Sequence, residues 1–201
     1  CPTTAVYNGL DSEQQIPLGS HLRFFGDGYQ KSKQVDGIRY WRIPVMDGEF
    51  LIEESCGTAK GVAGGNILIQ TRDQITGLTA ARRAVEAIGQ CEDVITPFPG
   101  GVVRSGSKVG SRYKGMVAST SHPFCPTLVG RVESEVETGA NCVYEIVVDG
   151  SSFEAVELAL MEGVCAVVEE DVIAISAGNY GGKLGKHHYR LHDLMAKIKN
   201  R

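Results

Sequence analysis

The stretch "NCVYEIVVDGSSFEAVELALMEGVCAVVEEDVIAIS", Asn141 to Ser176, reads as strand, helix, strand. In its first part Cys142, Tyr144, Ile146 and Val148 fall on one face of an extended segment, and Val143, Glu145 and Val147 on the other. Neither face is a water face. The carboxyl group of Glu145 therefore either finds a partner or stays protonated, because an ionised carboxylate in such a place carries a desolvation cost of several kcal/mol. A serine cap followed by Glu154 then opens a helix with Phe153, Val156, Leu160 and Val164 on one stripe, and "DVIAIS" closes the unit as a second strand.

Upstream the same order recurs. "VAGGNILIQ" reads as a strand, "TGLTAARRAVEAIG" as a helix with Leu78, Ala81, Val85 and Ile88 at helical spacing behind a Thr76–Gly77 start, and "DVITPF" as a short strand. Each helix leads into an acidic turn and an Asp-Val-Ile start, at Asp93 and at Asp171, and each second strand runs into a glycine-rich loop, "PFPGG" or "SAGNYGG". The duplication predicts an α/β (α+β) protein of two lobes, each ferredoxin-like, with antiparallel sheets. Further upstream, "RYWRIPVMDGEFLIEES" alternates around Met46 to Glu49, where Asp-Gly marks a hairpin, and Tyr40, Trp41 and Phe50 read as core aromatics. The expected division is residues 1–50 for first-lobe sequence and the hairpin, 51–130 for the central β-α-β unit with a long glycine-rich loop, and 131–201 for the second unit and C-terminal segment. Phe98 to Leu128 is too long and polar for a plain connection, so a substrate is expected to lie along it.

With 201 residues, 42% of them hydrophobic, the chain can bury a substantial core. Its 20 Lys plus Arg against 24 Asp plus Glu give a net charge of -4, which argues against a general nucleic-acid or membrane-surface binder. No apolar run approaches the length of a membrane span, and a cytoplasmic location is expected. The six cysteines show no C-x-x-C spacing and read as free thiols. "GGVVRSGSK" and "GGKLGK" suggest anion-binding loops using Lys108, Lys183 or Lys186, but lack the order of a Walker or dinucleotide fingerprint. His187, His188 and His192 lack the glutamate of H-E-x-x-H, "KHHYRLH" alternates like a strand, and no metal site is assigned. Cys125 near His122 is a weak candidate thiol nucleophile without an orienting third group. Glu145 has two readings: a buried acid paired with a cation, or a neutral carboxyl able to donate a hydrogen bond or a proton.

The strings "FFGDGYQ", "WRIPVMDGEF", "GVAGGN", "PFPGG", "SGSKVGS", "CPT", "CVYEIV" and "ISAGNYGGKLGKHHYRLHDL" stand in order along nearly the whole chain. Together they resemble the formylmethanofuran:tetrahydromethanopterin formyltransferase family of one-carbon metabolism. The resemblance implies a two-lobed α/β fold and transfer of a formyl group between two carrier substrates, with no bound cofactor or metal. It places the catalytic acid at Glu145, in the matching "VYEI" motif. Ser107, Lys108, Asn66 and Asn179 are the expected substrate-binding residues, with Arg112, Lys183 and Lys186 suited to the carriers' anionic tails. Family members associate as homo-oligomers, tetramers among them, or as a subunit of a formyltransferase/hydrolase complex. Family chains continue further upstream, so this chain is expected to begin inside the first lobe. The alternative is a catalytically inactive ferredoxin-like binding or scaffold subunit.

Overall fold

The computed structural model describes residues 5–168, 171–178 and 185–199. The chain divides into two compact units, Cys1–Lys60 and Gly61–Arg201.

In the first unit β1 (Ala5–Val6), β2 (Gln15–Ile16) and helix α1 (Leu18–Leu22) precede three longer strands, β3 (Lys31–Val35), β4 (Ile38–Val45) and β5 (Gly48–Glu53), and then β6 (Cys56–Gly57). The main sheet has the order β1-β5-β4-β3. The expected hairpin is present: Val45 pairs with Gly48 across Met46 and Asp47. A second Asp-Gly, at Asp36 and Gly37, turns β3 into β4 with both residues at positive φ, 50° and 81°. That is the conformation two-residue hairpins favour. Trp41, Ile43 and Ile52 form the core of this unit, with Phe50 packed against it. All of β3 is exposed, and Lys31 and Lys33 on this edge strand oppose edge-to-edge pairing.

The second unit holds β7 (Val62–Thr71), α2 (Gln74–Ile88), β8 (Val94–Ile95), β9 (Ser107–Val109), β10 (Ala118–Thr120), β11 (Cys142–Gly150), α3 (Phe153–Cys165), β12 (Val172–Ser176) and α4 (Leu191–Lys199). Its main sheet is antiparallel in the order β12-β7-β11-β8. The two β-α-β copies together build one antiparallel sheet with helices on one face, the ferredoxin-like arrangement expected of a lobe. Each supplies one long strand to the middle of a single sheet, β7 beside β11, and one short strand to an edge. The physical reason is the long strands themselves: Ile67 and Ile69 of β7 and Ile146 and Val148 of β11 are buried side by side, which favours adjacent central positions.

One sheet face is dry. Ile67, Ile69, Ile146 and Val148 point from it into a core with Ala80, Ala81, Ala84 and Ile88 of α2 and Val156, Leu160 and Val164 of α3. The buried side of α2 is an alanine row, shifted from the stripe through Leu78 and Val85 that periodicity predicts, because the helix lies close to its neighbours. Gly163 shows how close: a Cβ there would stand 2.8 Å from Cδ1 of Ile88. The helix also starts earlier than Thr76. Asp73 is its cap, accepting the Thr76 backbone N–H at 2.9 Å, and that bond holds the Asp73 carboxyl below its usual range. Ser152 caps α3 as expected, accepting the Ala155 N–H at 3.1 Å.

The C-terminal segment differs from expectation. "KHHYRLH" is not a strand: residues 187–190 are irregular and Leu191 opens α4. Tyr189 stacks on Phe153 with ring centres 4.5 Å apart, and burial pushes its phenol up to about 12. Its leucines explain the helix, since Leu191 and Leu194 are one turn apart and both meet the core. His187, His188 and His192 are exposed. Among the described residues, no helix is long and apolar enough to cross a membrane.

Candidate active site

The other face of the central sheet carries Val143, Glu145 and Val147 of β11 beside Gln70, Leu68 and Asn66 of β7, with Glu145 directly opposite Leu68. Among the described residues, no helix of the core covers this face. The segment after β8 covers it instead. Its Val103 exchanges two backbone bonds with Glu145, Val103 N–H to Glu145 carbonyl at 2.7 Å and Glu145 N–H to Val103 carbonyl at 3.0 Å. Both backbone bonds of Glu145 therefore go to Val103 on one side of β11, with Leu68 of β7 opposite it on the other. Gln70, buried, clamps a second covering segment: its Nε2 donates to the Glu135 carbonyl at 3.0 Å and its Oε1 accepts the Glu137 N–H at 2.8 Å. Two loops are thereby tied to this mixed polar and apolar sheet face, with a cleft beside them.

That cleft has a volume of about 910 Å³. The carboxyl of Glu145 lines it although the residue is only 7% exposed. Asn66 Nδ2 donates to its Oε1 at 2.9 Å. The other carboxyl oxygen faces Gly106, where a Cβ would stand 3.8 Å from Oε2; Gly106 has φ 52°, so the loop turns beside the acid in a conformation that favours glycine. Arg104 and Lys108 supply positive charge to the same cleft, and Ser107 and Cys125 also line it. Behind the sheet the surroundings are drier: burial pushes the Cys142 thiol up.

Of the residues singled out from sequence, Glu145, Ser107, Lys108 and Asn66 meet in this one cleft. The loop Phe98 to Leu128 does line it, partly through an antiparallel pair, β9 with β10. Arg112, in the connection between those strands, and Lys186 do not line it. Asn179 and Lys183 lie outside the described residues. The Cys125 thiol donates to the Ser121 carbonyl at 3.5 Å and stands 3.6 Å from Thr120 Oγ1; among the described residues no interaction joins it to the His122 imidazole. Sequence reasoning missed Arg104, Gln70 and Glu135. Arg104 stands inside the quoted "GGVVRSGSK", so a count of all cations in that loop would have found it, whereas nothing local marks Gln70 as a clamp.

The arrangement offers a buried carboxyl at the floor of a cleft with cations on its wall. Such a group can hydrogen-bond an oxygen that gains negative charge and can pass a proton to a leaving nitrogen. Residues 48–194 match the family model described as the formyltransferase proximal lobe, and residues 1–45 match the model for formylmethanofuran-tetrahydromethanopterin formyltransferase. The chain is 49% identical to the formylmethanofuran–tetrahydromethanopterin formyltransferase of Methylobacillus flagellatus, over 98% of this chain and 68% of that protein. It is also 49% identical to the enzyme of that name from Methanocaldococcus jannaschii, over 96% of this chain and 67% of that one. The solved formyltransferase of Methanosarcina barkeri aligns with a TM-score of 0.69 at 46% identity, covering 96% of this chain and 66% of its own. The formyltransferase/hydrolase complex of Methylorubrum extorquens, solved with methylofuran, contains a chain aligning at 0.70 and 45% identity, covering 97% and 67%. The chain thus spans about two thirds of the length of these relatives.

Proposed function

Because the chain belongs to the formylmethanofuran–tetrahydromethanopterin formyltransferase family, we propose that its cleft moves a formyl group from the amide of formylmethanofuran to a ring nitrogen of tetrahydromethanopterin, with Glu145 as the reacting acid. The observation that carries this reading is the carboxyl of Glu145, buried on a central strand and yet lining a cleft of about 910 Å³.

The acceptor nitrogen is itself a nucleophile, so the protein's task is to hold two substrates in register and exclude water. Attack forms a bond from that nitrogen to the formyl carbon and leaves a negative oxygen on a tetrahedral centre. The acid form of Glu145 donates a hydrogen bond to that oxygen. It then gives its proton to the departing donor nitrogen as the old carbon–nitrogen bond breaks. The carboxylate so formed takes the proton that the acceptor nitrogen loses, and the site returns to its starting state. Ser107 and Lys108, which line the cleft from one strand, would bind the polar and anionic parts of the carriers, with Arg104 as a second cation. Asn66 faces the same space, and Asn179 keeps its place as a binding residue on sequence grounds.

A cytoplasmic location, and association as a homo-oligomer or as a subunit of a larger formyltransferase complex, belong to the same proposal. The test is direct: purified protein is mixed with both carriers and formyl-tetrahydromethanopterin is followed by absorbance. Product forming in proportion to protein is expected. A folded sample without turnover, alone and with added partner subunits, contradicts the assignment. Cys125 has no part in the proposed chemical step, so alkylation should act only through the bulk an adduct adds to the cleft wall, raising KM rather than abolishing kcat.

A further inference from the structure

We infer that Asn66 is the positioning residue of the Glu145 carboxyl, an inference that rests on the reading of Glu145 as the reacting acid. An amide side chain has a donor end and an acceptor end, and the structure uses both. The backbone N–H of Gly178 donates to Asn66 Oδ1 at 3.0 Å, which leaves Nδ2 to donate to Glu145 Oε1 at 2.9 Å. The bond from Gly178 therefore fixes which end of the amide meets the acid. Sheet register supports the contact: Asn66 stands opposite Val147 and Glu145 opposite Leu68, so the two side chains meet on the diagonal between adjacent strands. Gly178 follows β12, which pairs with the other side of β7. One amide thus links the middle of β7, the middle of β11 and the backbone just after β12.

The consequence is orientation. A glutamate side chain turns easily about its last torsion, and a proton delivered to one atom of a tetrahedral centre needs the carboxyl plane held still. Oε1 is bound to Asn66, and Oε2 lies on the Gly106 side of the cleft. Around the cleft the titratable groups facing Glu145 among the described residues are Arg104, Lys108, Cys125 and Glu135, with Asp149 further along β11.

Two variants test this. Asn66→Asp keeps the shape and the acceptor for Gly178 while setting a carboxyl oxygen against Glu145 in place of the donor; Asn66→Ala removes both ends. Each is assayed for kcat and KM across pH, and the side-chain carboxyl carbon of Glu145 is titrated by 13C NMR, its resonance assigned by its loss in Glu145→Gln. The expected result in both variants is a Glu145 titration displaced upward from the parent's, because a like charge and a lost donor each disfavour the ionised form. The alkaline limb of the kcat profile should move with it. At neutral pH kcat should fall about tenfold or more while KM changes less than about threefold, as expected for loss of orientation. A midpoint and a kcat unchanged from the parent in the variants that fold overturn the inference. Parental turnover in Glu145→Gln overturns the catalytic reading of Glu145 instead, and the NMR midpoints still decide separately whether Asn66 governs that carboxyl.

Discussion

Asp149 lies four residues beyond Glu145 on the same strand, where burial pushes its carboxyl up. A carboxylic acid whose folded-state pKa is raised favours folding in its neutral form. That contribution is present below the unfolded value of about 3.9 and is lost as pH rises through the folded value. At neutral pH the ionised Asp149 is therefore a cost. Asp149→Asn should raise Tm at pH 7, with the gain shrinking as pH falls below about 4; an equal or lower Tm at pH 7 would count against the burial argument. Lys108 makes a different demand. If it binds an anionic tail, Lys108→Ala should raise KM by about threefold to tenfold with kcat kept, the range expected for a charge-assisted contact weakened by solvent. A fall in kcat at constant KM would move Lys108 from binding to chemistry. The acid itself was legible in sequence because it interrupts an apolar alternation. Its partner was not, since Asn66 stands 79 positions away and only the pairing of β7 with β11 brings them together.

At the level of elements, strand β11 spans Cys142–Gly150, the nine residues whose alternation marked it, and Ser152 caps the helix that the serine signal announced. Ser152→Ala should cost about 1 kcal/mol in urea unfolding, the usual worth of an N-cap; no change in the midpoint would mean that packing of Val156, Leu160 and Val164 fixes α3 without it. Local signals succeeded where the energy is local. They failed at α2, where Asp73 rather than Thr76 begins the helix, and at the C-terminal segment, where short alternation concealed a helix whose apolar positions lie one turn apart. They were also silent on how the two repeats combine. Repetition marks two units of like sequence, but only the cross-strand packing of Ile67 and Ile69 against Ile146 and Val148 decides that they share one sheet.

Over the whole molecule, acidic groups outnumber basic ones and the net charge is -4, while Arg104 and Lys108 gather at the cleft. Attraction of anionic carriers must then be local and opposed by the rest of the surface. Raising ionic strength shortens the Debye length from about 30 Å at 0.01 M to about 3 Å at 1 M. KM should accordingly rise with salt in the parent and rise less in Lys108→Ala; equal salt dependence in both would remove Lys108 from the attraction. Glu145, the cleft and its loops all belong to the second unit, Gly61–Arg201, so the proposed chemistry is concentrated on one sheet. The most direct test compares initial rates of formyl-tetrahydromethanopterin formation by the parent and by Glu145→Gln at saturating concentrations of both carriers. Glutamine keeps the shape of the side chain and a hydrogen-bond donor but has no proton to transfer, so kcat should fall by about 100-fold to 10,000-fold with little change in either KM. A variant turning over at the parental rate would contradict the account.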